Sequence, residues 1–293
     1  MIDLHIHSTC SDGSDEPSSL VEEGKKIGLA GMALTDHDTM DGVGEFLDAC
    51  RQEGMTGIAG IEFSVDTEET GGSLHMLGYG LDPEYPGVVE ALEKVQEGRM
   101  WRNEQILAKL NELGMELEWA EVEDCAGEDV IGRPHFAQAM INRNYVSSVP
   151  EAFEKYLAKG APAYVDRYRL FPEECIPLIR AAGGVAVLAH PFTWLEDPEE
   201  LAAELVRLKE LGLYGIEALH AEHTMEQVMD LMRLAKRFDL QVTGGSDYHG
   251  AVKPDVALGT GYGKLQVPDS CLTALLAAID APNNPRVVLG GRA

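Results

Sequence analysis

The chain has 293 residues, 45% of them hydrophobic, which is enough for one large globular domain or for a domain with an insertion. No apolar run reaches the roughly 20 residues that a membrane helix needs, so we do not expect a membrane protein. The 50 acidic and 23 basic side chains give a formal net charge of −27. This charge argues against binding of long nucleic acid, because such binding depends on basic surfaces.

The five cysteines are an odd number and include no Cys-x-x-Cys pair, which argues against a zinc ribbon and against a disulfide framework. The first residue leads directly into a predicted strand, without the basic and apolar pattern of a signal peptide. We therefore expect a protein of the reducing cytoplasm.

The first predicted strand spans residues 2–7 and places His5 and His7 on one face, with Leu4 and Ile6 on the other. Helices and strands then alternate: a helix near 15–28, a strand near 31–35, a helix near 41–53, and strands near 56–62 and 74–80. This order predicts an α/β fold with a largely parallel sheet.

The pattern changes near residue 87, where a long helical periodicity begins, and helical signals continue to about residue 160. The alternation then resumes with a helix near 173–182 and strands near 185–190, 214–219 and 240–245. We therefore predict a barrel domain formed by residues 1–97 and 163–293, and a small helical insertion of residues 98–162 that caps the substrate.

Histidines and carboxylates recur where the predicted strands end. His37, Glu62, His190, Asp247 and His249 each close or follow a short apolar run. Barrels of parallel strands place their chemistry at this edge, so we expect these side chains to meet. Mixed imidazole and carboxylate ligands are typical of Zn, Mn or Fe sites rather than Mg or Ca sites. The pattern predicts a metal centre, against the alternative of unrelated core or surface histidines.

Six short motifs connect these positions. They are Asp3-Leu4-His5-Ile6-His7-Ser8, Asp12-Gly13, Thr35-Asp36-His37-Asp38, Gly60-Ile61-Glu62, Ala189-His190-Pro191 and Gly245-Ser246-Asp247-Tyr248-His249. Their content and order resemble the polymerase and histidinol phosphatase (PHP) superfamily over residues 1–97 and 163–293. The resemblance implies a distorted (β/α)7 barrel, similar to a TIM barrel, with three divalent metal ions. It assigns one ion to His5, His7, Glu62 and Asp247, a second to Glu62, His75 and His190, and a third to Asp12, His37 and His249.

The resemblance further implies hydrolysis of a phosphate monoester or diester by a hydroxide that bridges two of the ions. The inserted Arg99-x-x-Arg102-Asn103 and Gly132-Arg133-Pro134-His135 resemble the branch that acts on nucleoside 3′,5′-bisphosphates or on short RNA from its 5′ end. We expect a small anionic nucleotide as substrate, with Mn, Zn or Fe as the metal. Alternatives are a 5′–3′ exoribonuclease for short RNA, a histidinol-phosphate phosphatase, and a non-catalytic metal-binding or regulatory module.

Three further roles are predicted for residues outside the ligand set. Arg99, Arg102, Arg133 and His135 would bind a second, non-reacting phosphate, since guanidinium groups suit phosphate; the alternative is ordinary solvated arginines. His220 and His223 would contact substrate or protonate the leaving oxygen, or else cap the helix near Thr224. Asp36 would fix the tautomer of a ligand imidazole, or else cap the following helix.

Overall fold

The computed structural model describes residues 1–67, 73–126 and 130–291. The chain divides into two compact units, one formed by Met1–Leu92 with Leu170–Ala293, and the other by Glu93–Arg169. The corresponding boundaries predicted from the sequence lie at residues 97 and 163. The substrate-capping role of the second segment stays a prediction.

Eight strands and ten α-helices are found in the described parts of the chain. In chain order they are β1 (Ile2–Ile6), α1 (Pro17–Lys26), β2 (Gly31–Leu34), α2 (Val43–Glu53), β3 (Thr56–Val65), β4 (Leu74–Tyr79), α3 (Pro86–Glu112), α4 (Trp119–Ala126), α5 (Arg133–Asn142), α6 (Val149–Ala152), α7 (Pro172–Ala181), β5 (Val185–Leu188), α8 (Pro198–Leu211), β6 (Gly215–His220), α9 (Met225–Phe238), β7 (Gln241–Gly245), α10 (Asp269–Ala278) and β8 (Val287–Val288). Short 3-10 turns at Pro191–Thr193 and Gly250–Val252 follow β5 and β7. This mixed α/β order confirms the predicted fold class.

The first unit is built on a sheet in which β1 to β7 lie side by side in chain order, with β8 added to β3. Neighbouring strands in this sheet are parallel, except that β4 runs antiparallel to both β3 and β5 and β8 runs antiparallel to β3. A parallel bridge joins Ile6 to Tyr248, and the His7 N–H donates to the Tyr248 carbonyl oxygen at 2.9 Å. The seven-stranded sheet is therefore nearly closed into a barrel, as predicted.

The closure of the sheet depends on a glycine. A Cβ on Gly245 of β7 would lie 2.3 Å from His5 Cβ and 2.4 Å from the His5 backbone nitrogen. No side chain fits in that space, so glycine lets β7 approach β1 at this point.

The reversed direction of β4 determines which of its residues reach the functional edge. The carboxyl ends of the six parallel strands share one rim of the barrel, and the amino end of β4 lies at the same rim. His75 is the second residue of β4 and pairs with Ser64 of β3. A histidine at the start of this strand therefore joins residues that lie near or just after the carboxyl ends of the other strands.

Local sequence explains where the helices of the first unit begin and end. Helix α1 has Pro17 in its first turn, where the missing N–H costs no hydrogen bond. Lys25 and Lys26 lie in its last turn, where positive charge interacts favourably with the helix dipole. Helix α9 begins with a reciprocal pair in which the Thr224 hydroxyl accepts from the Gln227 N–H and the Gln227 side chain accepts from the Thr224 N–H. These signals determine where the two helices begin and end.

The second unit is helical and has a core of its own. Ile106, Leu110, Phe136, Met140 and Leu157 are completely buried in it and pack together. None of the helices in the described ranges combines the length and the apolar content that crossing a membrane would require.

Candidate metal centre

The rim of the barrel brings together the nine residues that the sequence analysis selected as metal ligands. Three groups of ligand atoms each lie within 4.8 Å of one another: His5, His7, Glu62 and Asp247; His7, Asp12, His37 and His249; and His37, Glu62 and His75. His190 adjoins them, because its Nε2 lies 2.9 Å from Oε1 of Glu62. Since the groups share His7, His37 and Glu62, they form one continuous cluster.

The Glu62 carboxylate lies at the centre of this cluster and is completely buried. Nitrogen atoms of five imidazoles surround it: Oε2 is 3.2 Å from His5 Nε2, 3.2 Å from His7 Nε2 and 3.1 Å from His37 Nδ1, and Oε1 is 2.8 Å from His75 Nδ1 and 2.9 Å from His190 Nε2. Burial alone would raise the pKa of Glu62, but the surrounding histidines hold it well below its usual range. The carboxylate is therefore ionised and offers an oxygen on each side.

Asp247 forms one side of the cluster, directly after β7. Its Oδ1 lies 3.2 Å from His7 Nε2 and 3.5 Å from His5 Nε2, and its Oδ2 lies 2.6 Å from Nζ of Lys253. Its backbone has a φ of +56°, and His190 has a φ of +20°, so both residues adopt conformations that are rare outside glycine. Strained backbone of this kind is common at functional sites.

Asp12 forms the opposite, more exposed side of the cluster. Its Oδ1 lies 3.2 Å from His249 Nε2, and its Oδ2 lies 3.7 Å from His37 Nε2. Burial raises the pKa of Asp12, but His37 and His249 more than offset this effect, so the pKa is lowered.

His7 lies at the centre of the cluster, between two carboxylates. Burial lowers its pKa, yet Asp247 and Glu62 outweigh burial and raise it to about 10.

Several buried atoms of the cluster lack a hydrogen-bond partner. They are His5 Nε2, both ring nitrogens of His7, His37 Nδ1 and Glu62 Oε2. Buried polar atoms are nearly always paired, so unpaired nitrogen and oxygen atoms facing one another call for another partner. A divalent cation would satisfy them, and a set of imidazoles with a few carboxylates suits Zn, Mn or Fe. The residues therefore fit a metal centre.

Asp36 does not have the partner that the sequence analysis expected. Its Oδ1 accepts the Ser8 N–H and the Ser11 hydroxyl, each at 2.7 Å, and its Oδ2 accepts the Ser8 hydroxyl at 2.6 Å. The prediction that Asp36 fixes an imidazole tautomer was therefore wrong, and it does not cap α2, which begins at Val43. Asp36 instead ties the segment after β2 to the segment after β1.

Two other buried aspartates repeat this pattern around the rim. Asp3 accepts the Ser246 N–H at 2.8 Å and the Ser246 hydroxyl at 2.6 Å, and Asp38 accepts from the same two groups of Ser64 at 2.8 and 2.9 Å. Each aspartate joins one strand or its following segment to another. We call Asp3–Ser246, Asp36–Ser8 and Asp38–Ser64 the three aspartate–serine pairs.

His220 and His223 lie close together at the end of β6, with ring centres 5.2 Å apart. The Nδ1 of His220 accepts the Glu222 N–H at 3.2 Å, so Nε2 is the nitrogen that carries hydrogen, and it lies 3.6 Å from Oδ2 of Asp247. His223 has the opposite tautomer, because its Nδ1–H donates to the Ala218 carbonyl at 3.1 Å. Neither ring caps α9.

The environment of His223 keeps its ring neutral. Its Nε2 is buried without a hydrogen-bond partner, and burial lowers the pKa of His223 to about 4. His223 therefore presents a lone pair at Nε2, whereas His220 presents an N–H there.

Two residues of the site were missed by sequence reasoning. Glu217 is fully buried in β6 with its oxygens 3.0 and 3.2 Å from His5 Nδ1, and Lys253 contacts Asp247. A signal for Glu217 was present, because an acidic residue inside an apolar strand is costly unless it is paired. No sequence signal separated Lys253 from other surface lysines.

Arginines are concentrated in the second unit. Arg102 is only 7% exposed, and its Nε has no hydrogen-bond partner. Burial, together with the charges of Arg167, Arg99, Arg133 and Arg169, lowers the pKa of Arg102 to about 9. So much positive charge around a buried guanidinium is suited to binding an anion.

Two more of the four predicted phosphate ligands, Arg133 and His135, have defined orientations. The Arg133 guanidinium lies 5.6 Å from the ring centres of both Phe153 and Tyr164, and it donates to the Leu157 carbonyl at 3.3 Å. The Nδ1 of His135 accepts the Gly132 N–H at 3.0 Å, so the neutral ring has its proton on Nε2. Both side chains are donors fixed by their neighbours.

Comparison with known proteins gives consistent matches. A family model of the PHP domain matches residues 3–157. The 3′,5′-nucleoside bisphosphate phosphatase of Chromobacterium violaceum is 31% identical over 85% of this chain and 87% of its own length. The 5′-3′ exoribonuclease of Haemophilus influenzae is 34% identical over 84% of this chain and 89% of its own length. A solved structure from Bifidobacterium adolescentis, assigned as a metal-dependent phosphoesterase, matches with a TM-score of 0.78 and 30% sequence identity. The match covers 94% of this chain and 96% of that one.

Proposed function

This chain belongs to the PHP-domain family and is a metal-dependent phosphoesterase, and we propose that it removes a phosphate from a small nucleotide, namely a nucleoside 3′,5′-bisphosphate. The observation that carries the proposal is the continuous cluster around Glu62, whose buried nitrogen and oxygen atoms lack partners. A cluster of this size suits hydrolysis of phosphate esters, in which negative charge must be neutralised on both sides of the phosphorus.

We assign three divalent cations, Mn, Zn or Fe, to this cluster. One would be held by His5, His7, Glu62 and Asp247; a second by Glu62, His75 and His190; and a third by Asp12, His37 and His249. Such cations supply Lewis-acid activation of water and of the phosphoryl group. The two oxygens of Glu62 face different imidazoles, which supports its assignment to two of the ions.

Of the two histidines after β6, His220 is the better candidate to contact the leaving oxygen. Because Nδ1 of His220 accepts the Glu222 N–H, Nε2 is the nitrogen that carries hydrogen and can donate a hydrogen bond to the leaving oxygen. His223 presents a lone pair at Nε2 and a pKa of about 4, so it would accept rather than donate a hydrogen bond. We assign His220 to hydrogen-bond donation to the leaving oxygen, and His223 to accepting a hydrogen bond from an N–H or O–H group of the substrate.

We assign Arg99, Arg102, Arg133 and His135 to the non-reacting phosphate of the substrate. The buried, unpartnered Nε of Arg102 and the fixed guanidinium of Arg133 support this assignment. A nucleoside bisphosphate provides one phosphate for hydrolysis and a second for such a group. The bisphosphate phosphatase of C. violaceum, which is 31% identical, supports the same substrate class.

A short RNA with a 5′ phosphate is the second candidate substrate. The H. influenzae relative is named a 5′-3′ exoribonuclease and is 34% identical. The net charge of −27 disfavours a long RNA but not a short one bound mainly at its end. The cytoplasmic location expected from the sequence is compatible with either substrate and stays a prediction.

A direct comparison of substrates tests this proposal. Protein loaded with Mn²⁺ is incubated with adenosine 3′,5′-bisphosphate, a 5′-phosphorylated short RNA and histidinol phosphate, and kcat/KM is measured for each. We expect the bisphosphate to give the highest value, and the variant Glu62→Gln to be inactive on all three. A higher kcat/KM for the RNA would favour the exoribonuclease, and turnover of histidinol phosphate alone would refute the nucleotide assignment.

A further inference from the structure

Glu217 is a completely buried carboxylate that contacts two of the proposed metal ligands through different groups. Its Oε1 and Oε2 lie 3.0 and 3.2 Å from Nδ1 of His5. Its Oε2 also accepts the backbone N–H of His190 at 3.0 Å. The Glu217 side chain, on β6, is therefore hydrogen-bonded both to His5 of β1 and to His190 in the segment after β5.

The orientation of His5 shows what this contact does. With its Nδ1 toward Glu217, the ring directs its other nitrogen, Nε2, toward Oε2 of Glu62 at 3.2 Å and Oδ1 of Asp247 at 3.5 Å. Nε2 has no hydrogen-bond partner. The ring is therefore held at one nitrogen and free for ligation at the other.

We propose that Glu217 is a positioning residue that keeps a proton on Nδ1 of His5, so that the Nε2 lone pair is directed at the metal centre. Through the N–H of His190 it also holds the strained backbone from which the His190 ring reaches Glu62. This inference rests on the proposed roles of His5 and His190 as ligands. Carboxylates that accept from metal-bound imidazoles orient the ring and strengthen it as a ligand.

Glu217 is better suited to this role than to ligation. His5, Glu217 and His220 do have ligand atoms within 4.8 Å of one another. However, the Glu217 oxygens already face two N–H donors, from His5 and His190, and His220 carries its proton on Nε2. A cation placed there would meet three N–H groups that repel it.

The inference is tested with Glu217→Gln, Glu217→Ala and a matched control, Glu226→Gln, whose side chain is exposed on α9. Zinc affinity and stoichiometry are measured by chelator competition. In Glu217→Gln the negative charge is lost and a donor NH₂ group replaces one of the two acceptor oxygens, so we expect this variant to bind zinc about 10- to 100-fold more weakly. Glu217→Ala should be weaker still, and Glu226→Gln should match the wild type.

A second measurement separates positioning from a general loss of structure. In ¹⁵N-labelled protein, with and without Zn²⁺, the Nδ1 proton of His5 should give a signal protected from solvent exchange. We expect protection to be lost in Glu217→Ala and retained in Glu226→Gln, while the imidazole signals of the more distant His249 stay unchanged.

Unchanged protection and unchanged zinc affinity in the Glu217 variants would overturn the inference. A wild-type protein that binds no zinc would instead refute the proposed metal centre. In that case the Nδ1 signal of the metal-free protein still decides whether Glu217 holds the proton on His5.

Discussion

The Arg133 side chain is unusual in being fixed by two aromatic rings, Phe153 and Tyr164, at 5.6 Å each. A guanidinium already held in place loses little further freedom when it binds a phosphate, so its hydrogen bonds contribute more to affinity. The effect of removing it should therefore appear in substrate binding rather than in the chemical step.

We predict that Arg133→Ala raises KM for adenosine 3′,5′-bisphosphate about 10- to 100-fold with little change in kcat, because hydrogen bonds to charged groups contribute about 1.5–3 kcal/mol. Steady-state kinetics with the bisphosphate and with a monophosphate lacking the second group measures this. The control is Arg143→Ala, which removes a surface arginine paired with Glu121 in the same unit. Equal KM values for the two variants would remove Arg133 from the substrate site.

At the scale of strands and helices, the three aspartate–serine pairs connect segments that carry the cluster. Each buried aspartate accepts a serine N–H and the hydroxyl of the same serine, so two bonds fix one junction. Losing part of such a pair leaves a buried donor without an acceptor, which costs about 1–3 kcal/mol.

We predict that Asp36→Asn lowers the free energy of unfolding by about 1–3 kcal/mol, because an amide provides one acceptor oxygen where the carboxylate provides two. Denaturant unfolding measures the change. Asp48→Asn, at an exposed position on α2, serves as the control and should change stability by no more than about 0.5 kcal/mol. A fully stable Asp36→Asn protein would show that the junction does not depend on these bonds.

The pattern of apolar runs was sufficient to predict the strand and helix order, and β3 at Thr56–Val65 agrees with the predicted strand near 56–62. It did not predict that β4 is antiparallel, because strand direction depends on pairing with β3 and β5, which local sequence does not encode. The meeting of His75 with Glu62 follows from that reversal. Similarly, Asp36 flanks His37 in the sequence, but the serine residues it bonds to, Ser8 and Ser11, lie 28 and 25 positions earlier.

At the scale of the whole molecule, a chain with a net charge of −27 is expected to bind an anion. Two features reduce this conflict: the arginines around Arg102 and the divalent cations proposed for the cluster around Glu62. Bound cations are often the largest local charges in a site and reverse its sign. Activity should therefore depend on the metal more than on the overall charge.

Anomalous diffraction from crystals of this protein grown with Mn²⁺ tests the central claim most directly. We expect strong anomalous peaks at the barrel rim, with Glu62 next to two of them and with His5, His190 and Asp12 each bound to a different ion. Well-ordered crystals with no peak among these side chains, or with peaks only elsewhere on the surface, would contradict it.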